Sequence, residues 1–523
     1  MPEVRKELRI QYILVKFVVG CSGVSAKNLH IYYMTMKNHT LWSLGLLLSL
    51  LFATACSSDS DEPVPSPIEP SVELIAGECG SYTLTFTLTP ANATQAAWLC
   101  VKGGEKIPSA LEVLDRGEQV SASAPTTHTL TELEAECRYT IVAAVAREGL
   151  TATKQLQMTT SQAQAPAQSH AVILFMQGDN GLESFMDTNL QRAITAYYQL
   201  PEGSRFVIFY DRGNYTRLTE LYMDDGMAKQ RLIQEYNTEL SSVDPDFVKG
   251  VFELIKQEVE VDTYGLILSS HGGGWVPSDI FDTYLFYDWE GSATATYAPS
   301  PLFYAQDGYD CMEIADLVTA IDTFHYEYIL FDACFMASVE ALYDLRHSAD
   351  YIIASPIEVM GEGFPYEEIL PLLYREDHGL RLSCEAFMEL YEGRSGAISL
   401  IDCAKLESLA QAMRRVVAAN DGTIDVAQIQ GYESFPIHLY YDLEQFVEQM
   451  TDDEALRSDF RAALSEAVRF ADHTPTFCST SYQEFVLDLP RSCGLNCHVE
   501  REEFPATHAA WLETAWAKAV GAR

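Results

Sequence analysis

From His170 onward the chain repeats one pattern, a short apolar run followed by a stretch of helical periodicity. The runs are Ala171-Val172-Ile173-Leu174-Phe175-Met176, Phe206-Val207-Ile208-Phe209, Gly265 to Leu268, Tyr328 to Phe331 and Ile398 to Ile401. Strands that do not alternate apolar with polar residues are covered on both faces, which predicts an α/β domain with a mostly parallel sheet and helices on both sides. The intervening stretches fit: Ile314, Leu317, Val318 and Ile321 share one helical face, as do Leu406, Leu409, Met413 and Val416. In such sheets ligands bind beyond the carboxyl ends of the strands, so chemistry is sought where the runs stop.

Residues 71–160 read differently. Tyr82 to Leu88 alternates with period two, and Ala96 to Val101 and Tyr139 to Val145 are further strand runs, which predicts a small all-β sandwich. The segment Leu130-Thr131-Glu132-Leu133 followed by Tyr139-Thr140-Ile141-Val142 resembles a fibronectin type III domain, in which the Leu and the Tyr six residues later form a corner and Trp98 would be the core aromatic. Residues 57–70, rich in Ser, Asp, Glu and Pro, and residues 161–169, rich in Gln and Ala, have linker compositions. Leu44 to Phe52 is too short to span a bilayer and reads as a secretory apolar segment. The Ala53-Thr54-Ala55-Cys56 that follows resembles a bacterial lipoprotein signal, with Cys56 as the lipid-bearing residue and Ala53 where Leu is more usual. Residues 1–56 are thus expected to be an upstream extension plus signal peptide. Met34 or Met36 would give a charged leader of ordinary length. The acidic stretch after Cys56 suits the envelope or surface of a Gram-negative cell.

Charge narrows the function. Asp and Glu number 75 against 34 Lys and Arg, a formal net charge of −41, and a surface that negative repels phosphate backbones. No nucleic-acid partner is expected. The twelve cysteines form no paired CxxC units, so neither a zinc scaffold nor a dense disulfide framework is indicated, although Cys493 and Cys497 could contribute a strand and a disulfide. The chain contains no P-loop, no HExxH, no Rossmann glycine fingerprint, no GxSxG elbow and no EF-hand pattern. Tyr440, Tyr441, Trp511 and Trp516 lie in apolar helical patterns and read as core.

Two strand ends carry unusual residues. Leu266-Ile267-Leu268-Ser269-Ser270 runs into His271-Gly272-Gly273-Gly274, and Tyr328-Ile329-Leu330-Phe331 runs into Asp332-Ala333-Cys334, followed by the helix-like Phe335 to Leu345. In a parallel sheet both sets emerge at one edge. A thiolate is the nucleophile, an imidazole can assist its deprotonation or protonate a leaving amine, and the N–H groups of Gly272 and Cys334 could hold an oxyanion. Asp332, two residues before the cysteine, can line the pocket for a basic side chain or cap the following helix. Glu362, with Glu358 as its competitor, is a second acid for the pocket entrance.

This arrangement resembles the clostripain family of cysteine peptidases, relatives of the caspase, legumain and gingipain group, from about His170 to the C-terminus. Met176-Gln177-Gly178-Asp179-Asn180 looks like the family's opening motif, and Ala354-Ser355-Pro356 through Gly361-Glu362-Gly363-Phe364-Pro365-Tyr366 looks like its loop after the next strand. The resemblance implies a caspase-like fold over residues 170–523, a Cys334 nucleophile paired with His271, and cleavage after Arg or Lys selected by Asp332. Relatives often mature by cleavage after a basic residue between the two motifs, yet no Lys or Arg occurs from Gly272 to Leu345. Activity as a single chain, activation elsewhere, or another preference at that site follows. Residues 279–310 are long enough to form a loop over the site. No metal or cofactor is expected, with calcium left open. The expected partners are protein or peptide substrates and, through the lipid, a membrane, with the chain itself a monomer. The rival reading is a catalytically silent surface binding lipoprotein that keeps the fold.

Overall fold

The computed structural model describes residues 69–522 except 132, 163–168, 201–202, 237–239, 277–303, 309, 421–423, 434–437, 479–485 and 503–504. The expected signal segment, Cys56, most of both expected linkers and most of the 279–310 segment lie outside the described residues.

Residues 71–159 form two antiparallel sheets. The strands are β1 (Ser71–Cys79), β2 (Leu84–Ala91), β3 (Gln95–Lys102), β4 (Glu118–Val120), β5 (Thr126–Leu130), β6 (Arg138–Arg147) and β7 (Leu150–Thr159), with helix α1 (Ala110–Arg116) between β3 and β4. One sheet runs β1-β2-β5 and the other β4-β3-β6-β7. Period-two alternation turns Leu84, Phe86 and Leu88 inward against Trp98, which meets Phe86 edge to face at 5.0 Å.

The second sheet has nine strands in the order β11-β10-β9-β8-β12-β15-β16-β17-β19. In chain order these are β8 (His170–Gln177), β9 (Arg205–Asp211), β10 (Thr216–Asp224), β11 (Met227–Tyr236), β12 (Thr263–Ser269), β15 (Tyr326–Asp332), β16 (Ala349–Ala354), β17 (Ala397–Asp402) and β19 (Val468–His473). Three two-stranded pieces complete the strand numbering: β13 (Tyr304–Asp307) with β14 (Asp310–Met312), β18 (Tyr441–Asp442) with β22 (Asn496–Cys497), and β20 (Thr476–Cys478) with β21 (Val486–Asp488). The central five strands, β9-β8-β12-β15-β16, are parallel. Two antiparallel strands extend each edge, so the sheet is mixed, and Ile398 to Ile401 belongs to an antiparallel strand.

Burial explains the unbroken apolar runs. Successive residues of β8 enter two different cores, Ile173 and Phe175 on one face, Val172, Leu174 and Met176 on the other. The first face is covered by α3 (Pro245–Glu258), α4 (Ile314–Ile321) and α8 (Leu406–Ala419); the second by α2 (Glu183–Tyr197), α6 (Tyr366–Leu373) and α7 (Leu380–Leu390). The sequence sets helix starts locally: Asp244 accepts from the Phe247 N–H at 2.8 Å with Pro245 in the first turn of α3. One expected helix start moves. The helix after Cys334 is α5 (Val339–Leu345), with Ser338 in the N-cap position, and residues 335–338 are not helical. The apolar pattern continued through that turn, but Phe335 takes φ 59, which no right-handed helix accommodates.

Candidate active site

The parallel register of β12 and β15 pairs Ser269 with Asp332, so the two chains leave the sheet side by side. Beyond that point Gly272 lies against the main chain of the cysteine loop. A Cβ placed on it would fall 2.6 Å from Cys334 O, 2.9 Å from Ala333 Cβ and 3.1 Å from Cys334 N. Any side chain at 272 would force the strand ends apart.

His271 is half-buried, and its imidazole points toward Gly181, where a Cβ would lie 3.9 Å from Nε2. Its loop is stitched down on both sides. Ser270 Oγ donates to Gln177 O at 2.9 Å, and the Ala305 N–H donates to His271 O at 2.9 Å. Asn180 joins these pieces, its Nδ2 donating to Gln177 O and to Gln306 O, each at 2.8 Å. The described part of the 279–310 segment is therefore not a free loop: β13 and β14 form a hairpin whose Tyr304 bridges Gly272.

Cys334 rests against the loop after β16. Its Sγ accepts from the Val359 N–H at 3.3 Å and lies 3.6 Å from Val359 O. Burial pushes the thiol up to about 12, and the charge of Glu358 adds to the rise. Burial lowers His271 to about 4. No hydrogen bond among the described residues joins the two side chains, and at neutral pH both rest uncharged.

Asp332 caps no helix. It is buried beside the sheet edge, where its Oδ2 accepts from Tyr366 Oη at 2.8 Å and from Ser269 Oγ at 3.3 Å. Burial raises its carboxyl to about 6, against the pull of those two hydroxyls. Neither donor is a cation, and Oδ1 accepts no hydrogen bond among the described residues. The space in front of it is kept open by Gly363. With φ 61, its missing Cβ would sit 2.6 Å from both Asp332 oxygens and 2.9 Å from Asn189 Nδ2. Tyr391 Oη secures that glycine through a 2.8 Å bond to Gly363 O. Glu362, the next residue back, is half-exposed and binds Arg394 at 2.6 Å. Burial favours its neutral form, but Arg394 outweighs that and leaves it lowered.

Residues 174–464 match the profile of the clostripain family. The chain belongs to the clostripain family. It is a clostripain-family cysteine peptidase, and solved structures of similar proteins share its fold. An inactive zymogen C11 protease from Parabacteroides distasonis superposes with a TM-score of 0.59 at 25% identity, over 68% of this chain and 99% of its own. A secreted C11 cysteine protease from Bacteroides thetaiotaomicron, solved in complex with an irreversible peptide inhibitor, gives 0.58 at 26% identity, over 67% and 98%. Clostripain of Hathewaya histolytica is 25% identical over 242 residues, 41% of this chain, and the match spans 44% of clostripain's own length.

Within this clostripain-family domain the strand-end residues found from sequence gather at one sheet edge. Asn189 and Ser269 did not emerge from sequence. Ser269 could have been found by aligning the two strand ends, and Asn189 as a polar residue between Met186 and Ala193 on the buried stripe of α2. The Cys493–Cys497 stretch does supply β22, but both thiols are free.

Proposed function

We propose that the chain is an extracytoplasmic endopeptidase that cuts after Arg or Lys. Cys334 is the nucleophile, His271 its proton-transfer partner, and the Gly272 and Cys334 N–H groups the oxyanion donors. The observation that carries this is the contact between the Gly272 and Cys334 main chains, which sets the residue after His271 against the loop that bears the thiol. Because both side chains rest neutral, the Cys334 proton passes to His271 as sulfur attacks the carbonyl carbon. His271 then delivers that proton to the departing amine as the C–N bond breaks, leaving a thioester. Water, deprotonated by the same imidazole, hydrolyses the thioester and restores the thiol. Two N–H donors facing the oxyanion are each typically worth ~10²–10³ in rate.

The specificity rests on Asp332. A buried carboxylate without a cation, behind a glycine that clears the way, fits a guanidinium or ammonium. Glu362, already bound by Arg394, adds less charge at the entrance. Residues 71–160 serve as a fibronectin type III-like spacer, supported by the corner in which the Glu134 N–H donates to Tyr139 Oη at 2.8 Å. Anchoring through lipid on Cys56 completes the reading, and loss of fatty-acid labelling in Cys56→Ser tests it.

The activity is tested with the chain lacking residues 1–56 and fluorogenic peptides carrying Arg, Lys, Asn or Asp before the scissile bond, with reductant and with or without calcium. Cleavage after Arg or Lys that vanishes in Cys334→Ala supports the reading. Turnover surviving in Cys334→Ala removes the nucleophile, and cleavage only after Asn or Asp removes the role of Asp332.

A further inference from the structure

His271 and Cys334 make no bond to each other, so something else must hold their loops at a working separation. The residues after each of them converge on a small ribbon far along the chain. Phe335, directly after Cys334, occupies the left-handed region at φ 59, which a bulky side chain adopts only where its surroundings over-determine it. Its N–H donates to Ile357 O at 2.9 Å, its carbonyl accepts from Asn496 Nδ2 at 3.3 Å, and its ring stacks on Tyr440 with centroids 4.4 Å apart and planes 7° from parallel.

Tyr440 reaches the other loop as well. Its hydroxyl donates to Gly273 O, two residues past His271. The following Gly274, at φ 63, comes so close that a Cβ there would sit 2.8 Å from Phe335 O. Asn496 ties a third segment, its Nδ2 donating to Pro356 O at 2.9 Å and its N–H to Ala337 O at 3.0 Å. The two anchors share one frame, since β18 pairs with β22 through Tyr441 with Cys497 and Asp442 with Asn496. Asp442, fully buried, stiffens that frame by accepting from Tyr432 Oη at 2.8 Å and from the Cys493 N–H at 2.7 Å. Tyr440 and Asn496 are themselves fully enclosed.

We propose that Tyr440 and Asn496 are positioning residues for catalysis: the β18/β22 ribbon clamps the loop after His271 to the loop after Cys334 and so sets the register of the dyad. The proposal rests on the dyad reading above. Asn496 lies beyond the residues that match the family, 174–464, so the clamp places part of the working site outside that segment.

The test uses the chain lacking residues 1–56 and its Tyr440→Phe, Asn496→Ala, His271→Ala and Cys334→Ala variants. Turnover of an Arg or Lys peptide and the rate of Cys334 alkylation by iodoacetamide are read together. Tyr440→Phe keeps the stacked ring and loses only the bond to Gly273. It is expected to lower kcat about 10- to 100-fold with KM and melting temperature within error, because small misplacements of reacting groups act on the chemical step. That loss is expected to disappear in the His271→Ala background, whereas the loss from Asn496→Ala, acting through the cysteine loop, persists there. A kcat within about twofold of wild type in Tyr440→Phe, or a loss of equal size with and without His271, overturns the clamp. Wild-type turnover in His271→Ala or Cys334→Ala overturns the dyad reading instead. Should Tyr440→Phe fail to fold, Asn496→Ala is judged alone, and unchanged kcat and unchanged Cys334 alkylation in it overturn the proposal. Should no peptide be turned over by wild type, the alkylation rates carry the same comparisons.

Discussion

Glu220 and Asp332 are both carboxylates buried in the nine-stranded sheet, and the chain treats them in opposite ways. Glu220, on β10, is fully buried and met from both neighbouring strands. Arg205 binds its Oε1, and Arg231, directly opposite on β11, binds its Oε2 through Nε at 3.0 Å and Nη2 at 2.7 Å. Asp332, at the end of β15, has only the hydroxyls of Tyr366 and Ser269. A buried charge supplied with its cations is part of the fold. A buried charge left without one costs stability, which is why burial raises Asp332 to about 6. In the proposed reading the second carboxylate is completed from outside, by the substrate's own Arg or Lys.

The comparison can be broken most decisively at Asp332. Asp332→Asn is expected to lower kcat/KM for Arg and Lys peptides by about 10³-fold or more, since a site built for one charged partner rejects its absence strongly. The same change should raise stability, with a definite pH signature. A carboxyl raised from 3.8 to about 6 on folding destabilises the native state as pH climbs through that window. The gain from Asp332→Asn is therefore expected in full above about pH 6 and lost near pH 4 in thermal melts. A substitution that lowers stability at pH 8 would sink the contrast with Glu220.

Glu220→Ala should do the reverse. Arg205 loses this partner while Arg231 keeps Glu258, and the change is expected to cost about 1–3 kcal/mol in urea unfolding while leaving the preference among Arg, Lys, Asn and Asp peptides unchanged. A smaller effect is expected from Gly363→Ala. Its methyl would press on both Asp332 oxygens and force a left-handed residue, raising KM for basic peptides roughly 10-fold or more. The free-enzyme pH profile sharpens the same point. As pH falls from 7 to 5, protonation of Asp332 near 6 should lower kcat/KM for Arg peptides by about tenfold, and Asp332→Asn should abolish that limb. Least of all, Arg394→Ala, which frees Glu362, is expected to change kcat/KM for basic peptides by only a few-fold, as exposed pairs contribute little.

Local chemistry accounts for what could be read without a structure. Continuous apolar runs specify strands covered on both faces, so the parallel core and the emergence of His271 and Cys334 at one edge follow from periodicity and strand direction alone. The edges were less legible, because β17 has the composition of a covered strand but its direction is set by its neighbours β16 and β19. The turn at Phe335 was not legible either. Its backbone is decided by Asn496 and Tyr440, more than a hundred residues away, and no local pattern registers such a partner. The same holds at Asp332. From the sequence it was a helix cap or a pocket acid, and the tertiary structure removed the cap by starting α5 at Val339 and turning the carboxylate toward Tyr366. Sequence by itself determined which residues stand at the strand ends, since that depends on period and direction. Only the folded chain decided which charges were answered and which loops were held, because those depend on residues that meet solely through packing.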